Sequence, residues 1–246
     1  MMHNRRMPVR TKLRERQAAG TRRRVLLPRS FYRRPADRVA IDLLGCSVVR
    51  RLDGLCLVGR IVETEAYVGM DDLACHAASG RTERNAVMFG PPGHAYVYFV
   101  YGMHHMLNVV CQPRGIPEAV LVRALEPRAG IEHMRARRRV RRDTEIASGP
   151  GKVCRAFGVT RAQNGVDLRG AELWIEPGGL ASGEAVLRGP RIGVDYAGAD
   201  ALRPLRFFIA ANPHVSKPRQ AEPPGETRSR RAGHPKRPGR RRPATA

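Results

Sequence analysis

The stretch Arg60-Ile-Val-Glu-Thr-Glu-Ala-Tyr67 constrains the chain more than any other. Branched and aromatic residues dominate it, no Gly or Pro interrupts it, and Gly59 and Gly69 flank it. It therefore reads as a β-strand. Side chains alternate along a strand, so Glu63, Glu65 and Tyr67 share one face while Val62, Thr64 and Ala66 share the other. The second face suits a core. The first is either solvated or lines something polar, and the decision rests on whether the chain supplies partners for the two carboxylates.

One partner is visible. Glu118 to Leu125 is a strongly apolar strand broken by a single charge, Arg123. An arginine placed among Val, Leu and Ala should be paired, because an unpaired buried charge costs several kcal/mol. His94 to Cys111 reads as two strands folded at Tyr101-Gly102-Met103, with Gly102 supplying the turn. Tyr96 and Tyr98 share one face of the first strand, and Val97 and Phe99 the other. Tyr101 falls at the tip, where a large aromatic has nothing local to pack against.

The remaining elements frame these. A helix opens at Pro35-Ala36-Asp37 and stops at Gly45. Strands Cys46–Val49 and Leu55–Ile61 flank a turn at Asp53-Gly54. Residues 68–94 lack periodicity, and a loop this long inside a compact domain suggests a lid or pocket wall. Gly130 to about Arg142 reads as a helix with six arginines from Arg135 onward. Ser148-Gly-Pro-Gly-Lys152 leads into a short helix ending at Gly158. Trp174-Ile175, Arg191-Ile-Gly-Val194 and a closing strand at Leu205–Ile209 follow. Hairpins outnumber βαβ units, so the sheet is mostly antiparallel.

Charge is unevenly spread over the 246 residues. Residues 1–24 hold nine Arg/Lys against one acid, and residues 217–246 ten against two, so the ends carry +16 of the formal +23. Few large apolar residues accompany that charge. Both ends are expected to be disordered tails around a domain at residues 25–216, either seeking a polyanion such as nucleic acid or serving solubility. The five cysteines are dispersed and odd in number, which argues for a reducing intracellular compartment rather than a disulfide framework. No apolar run spans a membrane, and Arg5-Arg6 lacks the apolar stretch of a secretory signal.

Several chemistries are disfavoured. His76 beside Cys75, and His104-His105, lack zinc-ligand spacing, and adjacent histidines on a strand point to opposite faces. Ser148–Lys152 lacks the Gly and Ser/Thr of a phosphate-binding nucleotide loop, although a Gly-rich turn with Lys at a helix start suits one backbone phosphate. Only 5% of residues are aromatic, yet Tyr67, Tyr96, Tyr98 and Tyr101 cluster. Tyrosines beside a carboxylate, with one at a hairpin tip, suit a stacking pocket and a wedge. Together with basic charge they point to an enzyme acting on a base extruded from a duplex.

The ordered motifs Gly59–Tyr67, His76, Arg84-Asn85 with Met88-Phe89, Tyr96-Val-Tyr98, Tyr101-Gly-Met103, Asn108, Leu121–Pro127, Ser148–Lys152 and Arg191–Val194 closely resemble the alkyladenine (3-methyladenine) DNA glycosylase family over about residues 25–216. The resemblance implies a single α+β domain built on a curved, mostly antiparallel β-sheet with flanking helices and a protruding β-hairpin. It implies a monofunctional hydrolase of the N-glycosidic bond of alkylated or deaminated purines. By resemblance Glu65 is the general base and Arg123 holds the water and the carboxylate. Tyr67, His76 and Tyr98 wall the flipped base, and Asn108 meets its edge. Tyr101 intercalates, and Met103, Ser148, Gly149 and Lys152 lie along the DNA backbone. No cofactor or metal is expected. The expected partner is double-stranded DNA with damaged purines, bound by a monomer in the cytoplasm or nucleoid, or the nucleus if the cell is eukaryotic. The alternatives are a non-catalytic nucleic-acid-binding protein and a hydrolase of small glycosides or nucleosides.

Overall fold

The computed structural model describes residues 24–217. Apart from Arg24 and Lys217, the two basic tails expected to be disordered lie outside the described residues. Arg24 itself stacks over Trp174, 5.3 Å from the ring centre, and so belongs to the folded domain.

Two short helices come first, α1 (Arg29–Tyr32) and α2 (Ala36–Asp42). Strands β1 (Ser47–Leu52) and β2 (Leu55–Val68) follow, joined by Asp53 and Gly54, both at positive φ. A long irregular segment leads to β3 (Ala95–Val100), β4 (His104–Cys111) and β5 (Glu118–Ala129). Then come α3 (Ile131–Arg138), α4 (Pro150–Phe157), β6 (Leu173–Glu176), β7 (Val186–Gly189) and β8 (Arg206–Ile209). The sheet runs β3-β4-β5-β2-β1-β6, with β8 pairing β2 and β7 pairing β8. Every one of these pairings is antiparallel. This is the expected α+β arrangement.

The opening strand is the hub. Along one edge β2 pairs with β5; along the other it pairs first with β1 and then, at Glu63–Glu65, with β8. The β2–β5 register shifts three times, and the last two shifts run in opposite senses, so Val62 and Arg123 each lack a register partner. Such bulges re-aim side chains. Here Ile61 and Val62 both join the apolar core, while Glu63 and Glu65 are fully buried. The solvated-face reading of this strand is thereby overturned.

Gly59 lies inside β2 because no side chain fits there. A Cβ would stand 2.8 Å from Phe157 Cζ and 3.0 Å from Leu125 Cβ. The missing side chain lets α4 settle on the sheet.

The third helix is shorter than its sequence suggests. It ends at Arg138, and Arg139 caps it in the left-handed region at φ 53°. Met134 is its one buried residue, so nothing apolar rewards a longer helix. Arg135 also binds Asp143 at 2.7 Å, which fixes the chain just past the turn. Four of the six arginines have internal partners: Arg135 with Glu132 and Asp143, Arg137 with Asp53, Arg142 with Glu145, and Arg138 with the Ile146 carbonyl.

Gly59→Ala is expected to destabilise the fold by about 1–3 kcal/mol through overpacking. The urea midpoint of the two proteins checks this, and an unchanged midpoint would show that α4 can shift freely.

Candidate active site

The acidic face of β2 meets Arg123 from the neighbouring strand. Arg123 Nε donates to Glu63 Oε1 at 3.0 Å, and Nη1 lies 3.1 Å from Glu65 Oε1. Burial works against the guanidinium charge, but the two carboxylates outweigh it and hold the group above its ordinary pKa. The two carboxylates are not equivalent. Glu63 Oε1 also accepts from Arg206 Nε (2.7 Å) and Ser216 Oγ (2.8 Å), and Oε2 from the Ser216 amide (2.7 Å). Three of these four donors converge on Oε1, and the fourth takes Oε2. Burial opposes the charge on Glu63, yet Arg123 and Arg206 hold its carboxyl below the usual range.

Glu65 carries three contacts. Oε1 faces Arg123 and accepts from the Ile192 amide at 2.8 Å, and Oε2 accepts from the Tyr67 hydroxyl at 3.0 Å. It keeps capacity for one more donor. Burial first, and then the Glu65 charge, push the Tyr67 phenol well above its ordinary pKa, so it stays a proton donor.

Tyr67, Arg123 and Ile192 line a cavity of about 360 Å³, within the roughly 300–1,000 Å³ range of ligand sites. Glu65 sits one layer beneath, behind these three partners. His76, Tyr98 and Asn108 complete the walls. His76 meets Tyr98 edge-on at 4.4 Å between ring centres, and its Nδ1 lies 2.9 Å from the Tyr96 hydroxyl. Burial, aided by Arg84, pushes the imidazole down to about 4. Asn108 is pinned through its amide nitrogen to the Tyr96 carbonyl (3.1 Å) and the Met106 carbonyl (3.4 Å).

The segment without periodicity is held by one side chain. Asn85 is buried; it donates to the His76 and Gly80 carbonyls, each at 2.8 Å, and accepts from the Thr82 amide at 2.7 Å. That bond set places His76 in the wall without any apolar stripe. The segment is tied down again by Asp72, which receives Arg191 Nη2 at 2.7 Å; Arg191 in turn lies over the Tyr67 ring at 4.9 Å.

Tyr101 stands at the mouth, 76% exposed. It holds φ 53° beside Gly102 at φ 64°, a left-handed conformation that costs a tyrosine about 1–3 kcal/mol. Met103, on the same tip, is exposed as well. Ser148 bridges to Ala124, next to Arg123, and receives Lys152 Nζ at 3.3 Å. Gly149 caps α4, whose first residue, Pro150, lines the cavity. A Cβ at Gly151 would meet the His104 ring at 3.0 Å, so the tip end of the hairpin rests on the start of this helix. Of the residues singled out from sequence, Tyr67, His76, Tyr98, Tyr101, Asn108 and Arg123 line one cavity and Glu65 sits behind it, whereas Met103, Ser148, Gly149 and Lys152 do not line it.

Several others were missed. Ile192, Arg206 and Ser216 hold the carboxylates, and Tyr196, 71% exposed, lines the mouth. The Arg191–Val194 motif was visible without a role; Ser216 carried no local signal. Among the described residues, no three His, Cys, Asp or Glu gather to hold a metal ion, all five cysteines are free, and no helix is long and apolar enough to cross a membrane.

The folded His76 imidazole binds its proton more weakly than an unfolded one. Its stability contribution is therefore complete above about 6.5 and is lost as pH falls toward about 4. His76→Gln should flatten the pH dependence of the urea midpoint across that window. An identical slope in both proteins would contradict this assignment.

The family profile described as methylpurine-DNA glycosylase matches residues 30–213. Three relatives bear the provisional name 3-methyladenine DNA glycosylase. That of Methanocella arvoryzae is 54% identical, covering 78% of this chain and 96% of its own. That of Myxococcus xanthus is 51% identical, covering 81% and 96%. That of Carboxydothermus hydrogenoformans is 48% identical, covering 78% and 100%. With its curled antiparallel sheet, tyrosine-walled cavity and paired carboxylates, the chain belongs to the methylpurine-DNA glycosylase family, and with it to the DNA glycosylase hydrolases.

Proposed function

We propose that the protein draws an alkylated or deaminated purine, of the 3-methyladenine, 7-methylguanine or hypoxanthine type, out of duplex DNA and hydrolyses its N-glycosidic bond with a water activated by Glu65, leaving an abasic site. The inequality of the two carboxylates carries this reading. Every partner of Glu65 (Tyr67, Arg123 and the Ile192 amide) lines the cavity, whereas Glu63 is held from behind by Arg206 and Ser216, which do not.

Glycosidic cleavage passes through an oxocarbenium-like state. A carboxylate below the sugar stabilises that charge and takes a proton from the attacking water. Arg123 orients both. The Tyr67 hydroxyl and Ile192 amide fix the remaining lone pairs, so the carboxylate is already aimed when the sugar arrives. An alkylated purine is cationic and leaves without strong acid assistance. Its ring stacks against Tyr67, Tyr98 and His76, and the neutral imidazole does not repel it. Asn108, held by two main-chain carbonyls, cannot swing aside and acts as a fixed wall against the exocyclic amine of guanine.

Tyr101 fills the gap that the extruded base leaves in the stack. Met103, Ser148, Gly149 and Lys152 lie where the backbone passes the mouth, and the start of α4 offers N–H groups to a phosphate. Residues 25–216 form the glycosylase domain. The basic ends add salt-dependent, sequence-independent affinity for DNA inside the cell. A monomer suffices for this reading, because excising one base needs only one pocket.

Glu65→Gln is expected to bind a duplex containing hypoxanthine or an alkyladenine as the wild type does, yet form no abasic sites, read as alkali-induced strand breaks. Full activity of that variant would exclude Glu65 as the base. Release from damaged duplex but not from free nucleoside separates a DNA glycosylase from a nucleoside hydrolase. Tyr101→Ser should weaken capture of the extruded base more than nonspecific binding at fixed salt; equal loss of both would exclude the wedge.

A further inference from the structure

We infer that Glu63, clamped by Ser216 and Arg206, is a positioning residue that sets both the aim and the proton affinity of the catalytic carboxylate through Arg123. The inference rests on the reading of Glu65 as the base. Ser216 lies three residues beyond the family match, which ends at residue 213.

The geometry is a chain of rigid links. Ser216 grips Glu63 at two points, its amide on Oε2 at 2.7 Å and its hydroxyl on Oε1 at 2.8 Å. Arg206 Nε holds Oε1 from β8 at 2.7 Å, and its Nη2 lies 3.4 Å from the Ser216 carbonyl. Glu63 then receives Arg123 Nε at 3.0 Å. A guanidinium is a planar fork, so fixing its Nε edge fixes where Nη1 points. Nη1 points at Glu65, 3.1 Å away. All five residues are buried.

Charge follows the same path. Arg123 is shared between two carboxylates, and Arg206 supplies the balancing cation. If Glu63 lost its charge, the whole of Arg123 would bear on Glu65, and a like charge beside it would vanish. Both changes make Glu65 a poorer proton acceptor. The groups facing Glu65 are Arg123 and Tyr67 by direct contact, with Tyr98 and Arg191 acting electrostatically. Those facing Glu63 are Arg123, Arg206 and Ser216. All are retained in a Glu63→Gln variant, so a displaced pH profile reports Glu63 itself.

The test is single-turnover release of hypoxanthine from duplex by the full chain across a pH series, with duplex affinity measured in parallel. Glu63→Gln is expected to lower the rate at least about tenfold, since small misplacements of reacting groups carry losses of that order. Its acid limb should move to lower pH while affinity stays within about twofold. Ser216→Ala should shift the rate in the same direction by a few-fold, and Ser216→Thr should restore it. An unaltered rate and acid limb in Ser216→Ala would overturn the inference, even if Glu63→Gln fails to fold. Parallel loss of rate and affinity with an unmoved limb would overturn it too, because that marks a merely structural role. A wild type that releases no base, or a fully active Glu65→Gln, would instead overturn the reading of Glu65.

Discussion

One guanidinium shared by two buried carboxylates organises this protein. Arg123 alone could not neutralise Glu63 and Glu65, and burying either carboxylate unpaired would cost several kcal/mol. The fold answers with a second cation, Arg206, brought to Glu63 by β8. The pairing of β8 with β2 at Glu63–Glu65 is therefore more than an extension of the sheet. It delivers the charge that allows two acids to sit on a buried strand face. Compensating bulges at Val62 and Arg123 let this happen while β2 keeps one register with β5 on either side of them, over Gly59–Ile61 and Thr64–Val68.

The same logic extends outward. The irregular segment before β3 forms one wall of the cavity, and it is fixed by polar bonds rather than by apolar packing. Asn85 gathers it from inside, and the Arg191–Asp72 pair fastens it to the strip that presents the Ile192 amide to Glu65. Burial opposes the charge on Asp72, but Arg191 and two backbone amides hold its carboxyl below the usual range. Wall and carboxylate are thus anchored by a shared arginine, whose guanidinium also lies over the Tyr67 ring. A site assembled in this way is preorganised: its donors are already in place before charge develops at the sugar.

Much of this was legible in the sequence because it was local. Alternation along residues 60–67 placed the two acids on one face, and a lone arginine in an apolar strand announced a partner. Two tyrosines with period two and a Gly turn announced the hairpin. The third helix is shorter than a run of arginines with good helix propensity suggests, because it has no broad apolar stripe to bury: Met134 is its one buried residue and Ile131 is partly buried. The clamp on Glu63 was not legible. Ser216 and Glu63 are 153 positions apart, and a lone serine in a segment without periodicity has no pattern that distinguishes it from a solvated one. Nor did the sequence separate the roles of the two acids physically. That distinction lies in which partners face the cavity, Tyr67, Arg123 and Ile192 for one acid and Arg123 alone for the other, and it emerges only from tertiary contacts.

Under the proposed function Glu65, and not its neighbour two residues earlier, faces the hydrolytic water. A crystal structure bound to duplex DNA whose damaged nucleotide carries a 2′-fluoro group, which slows cleavage, tests it most directly. The expected result is a water within hydrogen-bonding distance of Glu65 and Arg123, beneath the sugar of an extruded base, with Glu63 still held by Arg206 and Ser216. A water on Glu63 instead, or a Glu65 that remains sealed from the bound sugar, would contradict it.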